Sequence, residues 1–327
     1  MKKLTKQNFN FIVRMLLFGA ILLMIMRIGQ RILLPKNGQN ENFTPVTDRL
    51  GVWWWQTDNL DDWSYLDFAR DNGVTEIYLN QHHLSIVNPS GTFGPYGVET
   101  VVMPTQNFIQ AASERGIDVY LLLSNTGTWL IDDARFHQIM KGFFAYQQLA
   151  NDNQQFSGIH FNIEPNQMTM TDGSRYWDLG HEKQQELMQK LINFAVAATD
   201  KYGSYTTFDW ATGFWWQNFY VNYRDTTIPL HHALIIEAQT TYVMSFRNTA
   251  CRMVNVAQDH LEFANRIGQP IFLGANIISN SASENEQFYQ LGRNYFHQQM
   301  QQLLACAAEH EFHLVIHDIT RWRHWRR

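Results

Sequence analysis

From residue 49 onward, short runs of apolar, β-branched or aromatic residues alternate with longer amphipathic stretches, the pattern of βα units on a parallel sheet. Eight runs are present: Gly51–Trp55, Thr75–Leu79, Asp118–Leu123, Gly158–Ile163, Tyr205–Trp210, Tyr242–Phe246, Pro270–Leu273 and His313–His317. Between them the helical period is clearest from His181 to Tyr202, where Leu187, Leu191, Phe194, Ala195 and Ala198 share one face and Gly203 follows. Asn107 to Arg115 and Ala250 to Arg266 are likewise followed by glycine, at Gly116 and Gly268. Eight strands with intervening helices predict one (β/α)8 TIM barrel over residues 49–327. The stretches Gln81–Pro104 and Thr212–Leu230, which contain Gly and Pro, are expected as loops at its mouth.

Within the fourth run, alternation places His160, Asn162 and Glu164 on one face and Ile159, Phe161 and Ile163 on the other. In a parallel barrel the apolar set packs on the helices and the polar set enters the lumen. Glu164, last in the run, then emerges at the C-terminal mouth, where barrel enzymes carry their chemistry. The alternative is a strand-end Glu that pairs with a nearby Arg or caps the next helix; burying two further polar residues on that face requires a hydrogen-bonded purpose and favours the catalytic reading.

The segment ahead of the barrel differs in character. Its first 36 residues carry seven basic side chains and no acid, so the remainder holds 18 basic against 30 acidic groups, a net charge of −12 that argues against a nucleic-acid partner. Lys2 and Lys3 precede an apolar stretch from Phe11 to Met26 broken by Arg14, and Arg27 follows it without a small-residue cleavage site. Residues 1–35 are therefore expected as an uncleaved signal anchor, with a cleaved signal peptide as the alternative. The polar residues 36–48 form a linker, and the basic N-terminus places the barrel outside the cytoplasm. The basic Arg321–Arg327 end is expected as a solvated tail. Cys251 and Cys306 are too few for a disulfide scaffold; two free buried thiols are expected, with a single bridge as the alternative.

The stretch Phe156-Ser157-Gly158-Ile159-His160-Phe161-Asn162-Ile163-Glu164 resembles, without a gap, the strand-four motif Phe-Asp-Gly-Ile-Asp-Leu-Asp-Trp-Glu of the chitinase-like family 18 glycoside hydrolases, which are TIM barrels. Val243-Met244-Ser245-Phe246-Arg247-Asn248 is similar to that family's Met-x-Tyr-Asp stretch, and Trp322 resembles its Trp at the floor of the sugar subsite. The resemblance implies that Glu164 is the general acid. Asn162 and His160 stand where the family has two Asp residues, Phe246 replaces its Tyr and Arg247 the Asp that follows. Asn is a poor partner for the positive charge that develops in attack by a substrate N-acetyl oxygen, so chitin cleavage by that route is not expected. The other large clan of barrel glycosidases uses Asn-Glu-Pro after strand four and a Glu after strand seven; here Asn162-Ile163-Glu164-Pro165 has an inserted Ile, and Gly274-Ala275-Asn276 leaves the second position without an acid.

A direct glycosidase needs a second carboxylate within roughly 5–10 Å of the first. Asp318, after the eighth run, is the first candidate and Asp209 the next; either residue could instead cap a helix. Eleven Trp and a 14% aromatic share put indoles near several predicted strand ends, Trp54, Trp210 and Trp322 among them, and indoles stack on the C–H faces of sugars. Asn80, His82, Asn125, Phe246, Arg247, Asn248, Asn276 and His317 complete the expected substrate-binding set with His160 and Asn162. Amides and imidazoles hydrogen-bond hydroxyls in both directions, as a neutral glycan requires. The pairs His82-His83 and His231-His232 lack metal-ligand spacing, and adjacent His residues on a strand point to opposite sides, so no metal is expected. No Gly-rich phosphate loop or Gly-x-Ser-x-Gly elbow implies a nucleotide, another cofactor or serine-hydrolase chemistry. The sequence thus predicts a glycoside hydrolase-like barrel acting on a cell-envelope or extracellular glycan. A catalytically inactive carbohydrate-binding barrel is the alternative, and an unrelated barrel hydrolase or lyase a third reading.

Overall fold

The computed structural model describes residues 42–56, 60–80, 102–278 and 284–325. The expected anchor, residues 36–41 of the linker, His82 and residues 81–101 of the expected mouth loop lie outside these residues. Among the described residues no helix is long and apolar enough to cross a membrane.

Among the described residues ten strands form, eight of them closing a barrel. They are β1 (Leu50–Trp54), β2 (Glu76–Asn80), β3 (Asp118–Asn125), β4 (Gly158–Ile163), β5 (Phe208–Gly213), β6 (Tyr220–Tyr223), β7 (Thr226–Pro229), β8 (Thr240–Met244), β9 (Ile271–Asn276) and β10 (His313–His317). The barrel order is β1-β10-β9-β8-β5-β4-β3-β2, with parallel neighbours throughout. The described helices are α1 (Ser64–Asp71), α2 (Met103–Ser113), α3 (Ala134–Leu149), α4 (His181–Tyr202), α5 (Leu230–Glu237), α6 (Ala250–Val256), α7 (Gln258–Ile267), α8 (Arg293–Ala307) and α9 (Ile319–His324). This is the (β/α)8 architecture that the alternation predicts. β5 begins three residues later than the sequence suggests, because Tyr205 is exposed and the chain first turns through Ser204–Thr207.

Two cores follow from strand parity. Outward residues such as Leu50, Val52, Trp54, Ile159, Phe161, Ile163 and Trp210 pack against the helices. Inward residues Trp53, Tyr78, Leu122, Ala211, Tyr242, Phe272 and Val315 fill the lumen as a solid plug rather than a pore. β4 obeys the predicted alternation along its whole length.

The structure departs from the sequence reading in the outer layer and near both ends as well. The stretch 212–230 is only briefly a mouth loop: after a short 3₁₀ turn it forms the β6–β7 hairpin, which lies along α4 through hydrogen bonds between Gln189 and the backbone of Asn222. The predicted helix 250–266 is two helices, broken at Ala257. Barrel packing begins inside the expected linker, since Phe43 is buried against Phe296 and Trp322 and its amide donates to Asn72. The basic C-terminal stretch is not a solvated tail up to Trp325: Trp322 and Trp325 are buried, and Arg323 pairs with Asp62 and covers the Tyr65 ring.

Cys251 and Cys306 are not free thiols. They form a disulfide joining α6 to α8 across 55 residues, with Cα atoms 5.0 Å apart. Closing a loop of that length stabilises the fold by about 4 kcal/mol on chain entropy alone. Cys251 is exposed and open to reductant. Calorimetry in dithiothreitol, or of a Cys251→Ser/Cys306→Ser variant, is expected to show a melting temperature lower by about 8 °C at roughly 2 °C per kcal/mol for a domain of this size. An unchanged transition would show that the bridge contributes nothing.

Candidate active site

β4 ends where it does because Pro165 has no amide to continue the ladder and disfavours a helical residue before it. Glu164 is held at that break by its backbone: its amide donates to the Asn125 carbonyl at 2.8 Å, and its carbonyl accepts from Gln167. The β3 loop approaches closely. Gly127 has φ 99°, and a side chain there would meet the Pro165 Cα at 3.3 Å, so both the conformation and the contact call for glycine. Beside it, Asn162 Nδ2 donates to Glu164 Oε1 at 3.1 Å and fixes the direction of the carboxylate.

Glu164 and Asn162 open into a cavity of about 540 Å³ at the C-terminal mouth, lined also by Trp53, Trp55, Gln56, Ser124, Met244, Phe246, Ile278, His317, Asp318 and Arg321. Of the residues expected from sequence, Glu164, Asp318, Asn162, Phe246 and His317 meet there. Phe246 lies over His317 with ring centroids 5.7 Å apart and planes 14° from parallel. Gly274 makes room for it, because a Cβ there would fall 3.2 Å from that ring and 2.9 Å from the Val243 carbonyl. His317 also meets Trp53 and Trp55 edge to face. Burial lowers its pKa to about 4, so its imidazole is neutral at ordinary pH. Trp55 Nε1 and His317 Nδ1 are buried without partners among the described residues, the kind of exception that functional sites carry.

Asp318 has two attachments. Its Oδ1 accepts the Arg321 amide at 2.8 Å and so caps α9, while the side chain lines the cavity. Burial raises its pKa, opposed by the backbone hydrogen bonds and the Arg321 charge.

The other expected site residues go elsewhere. Asp209 is not at the mouth: it lies inward on β5, 1% exposed, in a polar floor with Tyr242, Tyr78, Glu76 and Arg49. His160 sits below the cavity, fully buried, accepting from Trp53 Nε1 at 3.0 Å and packed on Tyr78 and Tyr242. Its pKa is lowered to about 3 by burial, so it supports Trp53 as a neutral acceptor rather than meeting substrate.

Trp54, Trp210 and Trp322 point outward into the helix layer, Trp54 against Tyr65 and Phe108, Trp210 against Phe161, and Trp322 against Phe43 and Phe68. The indoles of the mouth are Trp53 and Trp55. Asn125 spends its side chain on Gly127, Thr128 and Trp129 in its own loop, and Asn276 on the Ile278 amide. Asn80 reaches the Trp55 carbonyl at 3.4 Å. Arg247 covers the Phe214 ring and approaches Glu286 at 3.8 Å, and the Asn248 amide donates to Asn285, so neither residue lines the cavity. Gln56, Ser124, Met244, Ile278 and Arg321 are not among the residues expected from sequence, and Trp53 and Trp55 stand there only as two of the indoles near predicted strand ends. Strand parity identifies Ser124 once β3 is placed, and Trp53 with Trp55 once Gly51 is known to face inward against Tyr78.

His231 and His232 begin a helix, so the strand argument against their acting together does not apply.

No protein-family model and no curated protein matches the sequence. Among solved structures the chain is similar to the endo-1,4-beta-mannanase from Rhizomucor miehei, with a TM-score of 0.52 at 10% identity over 86% of this chain and 87% of that one. It is also similar to the beta-1,4-mannanase from the common sea hare Aplysia kurodai (TM-score 0.48, 14% identity, 89% and 94% covered). A GH18 chitinase from Pseudoalteromonas aurantia gives 0.47 at 10% identity, with 83% and 93% covered. The likeness is one of fold, a distant resemblance to TIM-barrel glycosidases.

Proposed function

We propose that this chain is a glycoside hydrolase acting on a neutral glycan outside the cytoplasm, with Glu164 as general acid/base and Asp318 as the second carboxylate. One observation carries the reading: a single mouth cavity presents both acids beside two indoles, an amide aimed at the first acid and a neutral imidazole. Two carboxylates flanking a bond are what glycoside cleavage asks of a protein. The partly exposed Trp55 indole offers a stacking surface and the uncharged polar groups offer hydroxyl partners. Placement outside the cytoplasm is favoured by the basic N-terminus before an apolar run and by the disulfide, which persists in oxidising compartments.

The test is hydrolysis of a panel of soluble β-mannans, β-glucans and chitin oligomers, followed by reducing-end release, with binding measured in parallel by calorimetry. Turnover supports the enzyme. Binding without turnover favours a carbohydrate-binding barrel, a reading motivated by the commitment of one Asp318 oxygen to a helix cap. Neither binding nor turnover overturns both. For a glycan that binds, Trp55→Ala is expected to weaken affinity about tenfold, the loss of one aromatic contact, and Trp54→Ala to leave it unchanged at temperatures where that variant stays folded. Equal affinities for wild type and Trp55→Ala would remove Trp55 from the binding surface.

A further inference from the structure

We propose that His231, His232 and Asp259 form a binding site for a transition-metal dication, zinc in the first instance, on the outer wall of the barrel between α5 and α7. Pro229 starts α5 and sets both histidines in its first turn, while Asp259 occupies the first turn of α7. His231 Nε2 lies 2.7 Å and His232 Nε2 3.5 Å from the same oxygen, Asp259 Oδ2, and the three donor atoms all fall within 4.8 Å of one another. Ligands of a tetrahedral ion with bonds of about 2.0–2.2 Å stand roughly 3.3 Å apart, so the donors are already near ligand spacing. Two imidazoles and one carboxylate suit zinc, copper or nickel better than the oxygen-seeking magnesium and calcium.

The surroundings support the assignment. The His231 side chain is fully buried, His232 is 16% exposed and Asp259 49%, so an ion would enter from the Asp259 side and keep a position for water. His232 is fixed by stacking on Phe263, with centroids 3.8 Å apart and planes 8° from parallel. Behind it, fully buried His260 packs on the His231 ring at 4.3 Å, and neither of its ring nitrogens has a partner among the described residues. A hydrogen bond tying two helices needs one imidazole, not three. If an ion takes His231 Nε2, the ring proton moves to Nδ1, which like both His260 nitrogens is buried without a partner among the described residues. None of these residues lines the mouth cavity, so the site stands apart from the proposed glycosidase chemistry.

The experiment uses the full chain stripped with a chelator. It is titrated with Zn²⁺ by calorimetry and with Co²⁺ by the visible absorption that marks four-coordinate cobalt. Wild type is expected to bind one equivalent of each, and zinc to raise its melting temperature. Asp259→Asn and His232→Gln are each expected to weaken binding by about tenfold or more and to lose the thermal shift. His232 is at the rim, so His232→Gln tests the site even if the Asp259 variant fails to fold. No binding by wild type, or wild-type affinity in His232→Gln, overturns the proposal.

Discussion

Glu164→Gln is expected to lower kcat on any glycan the wild type cleaves by about 10²–10⁴-fold, the range that one general acid/base supplies, while ligand affinity stays within a few-fold. Glutamine keeps the shape of the side chain and an oxygen able to accept from Asn162 Nδ2, so the wall of the cavity is unchanged and only the transferable proton is lost. Turnover within about threefold of wild type would remove Glu164 from the mechanism. Asp318→Asn separates the two attachments of its partner: asparagine is as good a helix cap as aspartate, so the Arg321 amide keeps its acceptor while the charge disappears. A folded Asp318→Asn enzyme with collapsed kcat makes that carboxylate part of the chemistry; one that turns over normally leaves Asp318 a cap. Because burial raises the Asp318 pKa, a step needing its ionised form should fail on the acid side at a higher pH than an ordinary aspartate would dictate. The neutral His317 beside it adds no limb near neutrality.

Much of the barrel was legible because β4 carries a polar/apolar alternation that only one orientation satisfies, and Glu164 followed from it. β1 has no such signal. Both of its faces are buried, one lined by Leu50, Val52 and Trp54 and the other by Gly51 and Trp53, so three consecutive tryptophans gave no indication of which turned inward. Asp209 and Trp210 are adjacent on one strand and could not both face the site; parity sends the acid into the lumen and the indole outward, yet the depth of Asp209 depends on how β5 is staggered against β4, which pairs His160 with Asp209. Trp322 follows a strand end but turns away because α9 begins at Ile319, and the same turn brings Arg321 to the cavity edge. The hairpin had a readable signature in Tyr220–Tyr223 and Thr226–Ile228 around a two-residue turn, with Arg224 at φ 44°. The disulfide and the His231–Asp259 cluster depend on which outer helices lie side by side, which local pattern does not encode.

The fold is expected to lose stability as pH rises from about 6 to about 9, and Asp209→Asn to abolish that loss. Asp209 and Glu76 share the barrel floor with one cation, Arg49, and two hydroxyls: Tyr242 reaches Asp209 Oδ2 at 3.3 Å and Glu76 Oε2 at 3.2 Å, and Tyr78 also donates to Glu76. Burial first, and then the Glu76 charge, raise the Asp209 pKa to about 8. The folded protein therefore holds a proton there that the unfolded chain has released, and one protonated acid, one carboxylate and one guanidinium leave the floor neutral. The stabilisation is fully present below the unfolded carboxylate value near 4 and is lost as pH rises through 8, at most roughly 5 kcal/mol. On the acid side the signs reverse. His160, at about 3, and His317 and His297, at about 4, are held neutral by burial; their contribution is present above the unfolded value near 6.5 and is lost as pH falls toward those values. Urea unfolding across this range should show maximum stability around pH 6 for wild type. Asp209→Asn keeps the neutral shape of the protonated acid, so its curve should retain the acid limb and flatten on the alkaline side, leaving the variant several kcal/mol more stable than wild type near pH 9. Identical alkaline limbs in the two proteins would mean that the floor carries its second negative charge without penalty, and that Asp209 is ionised beneath the mouth cavity.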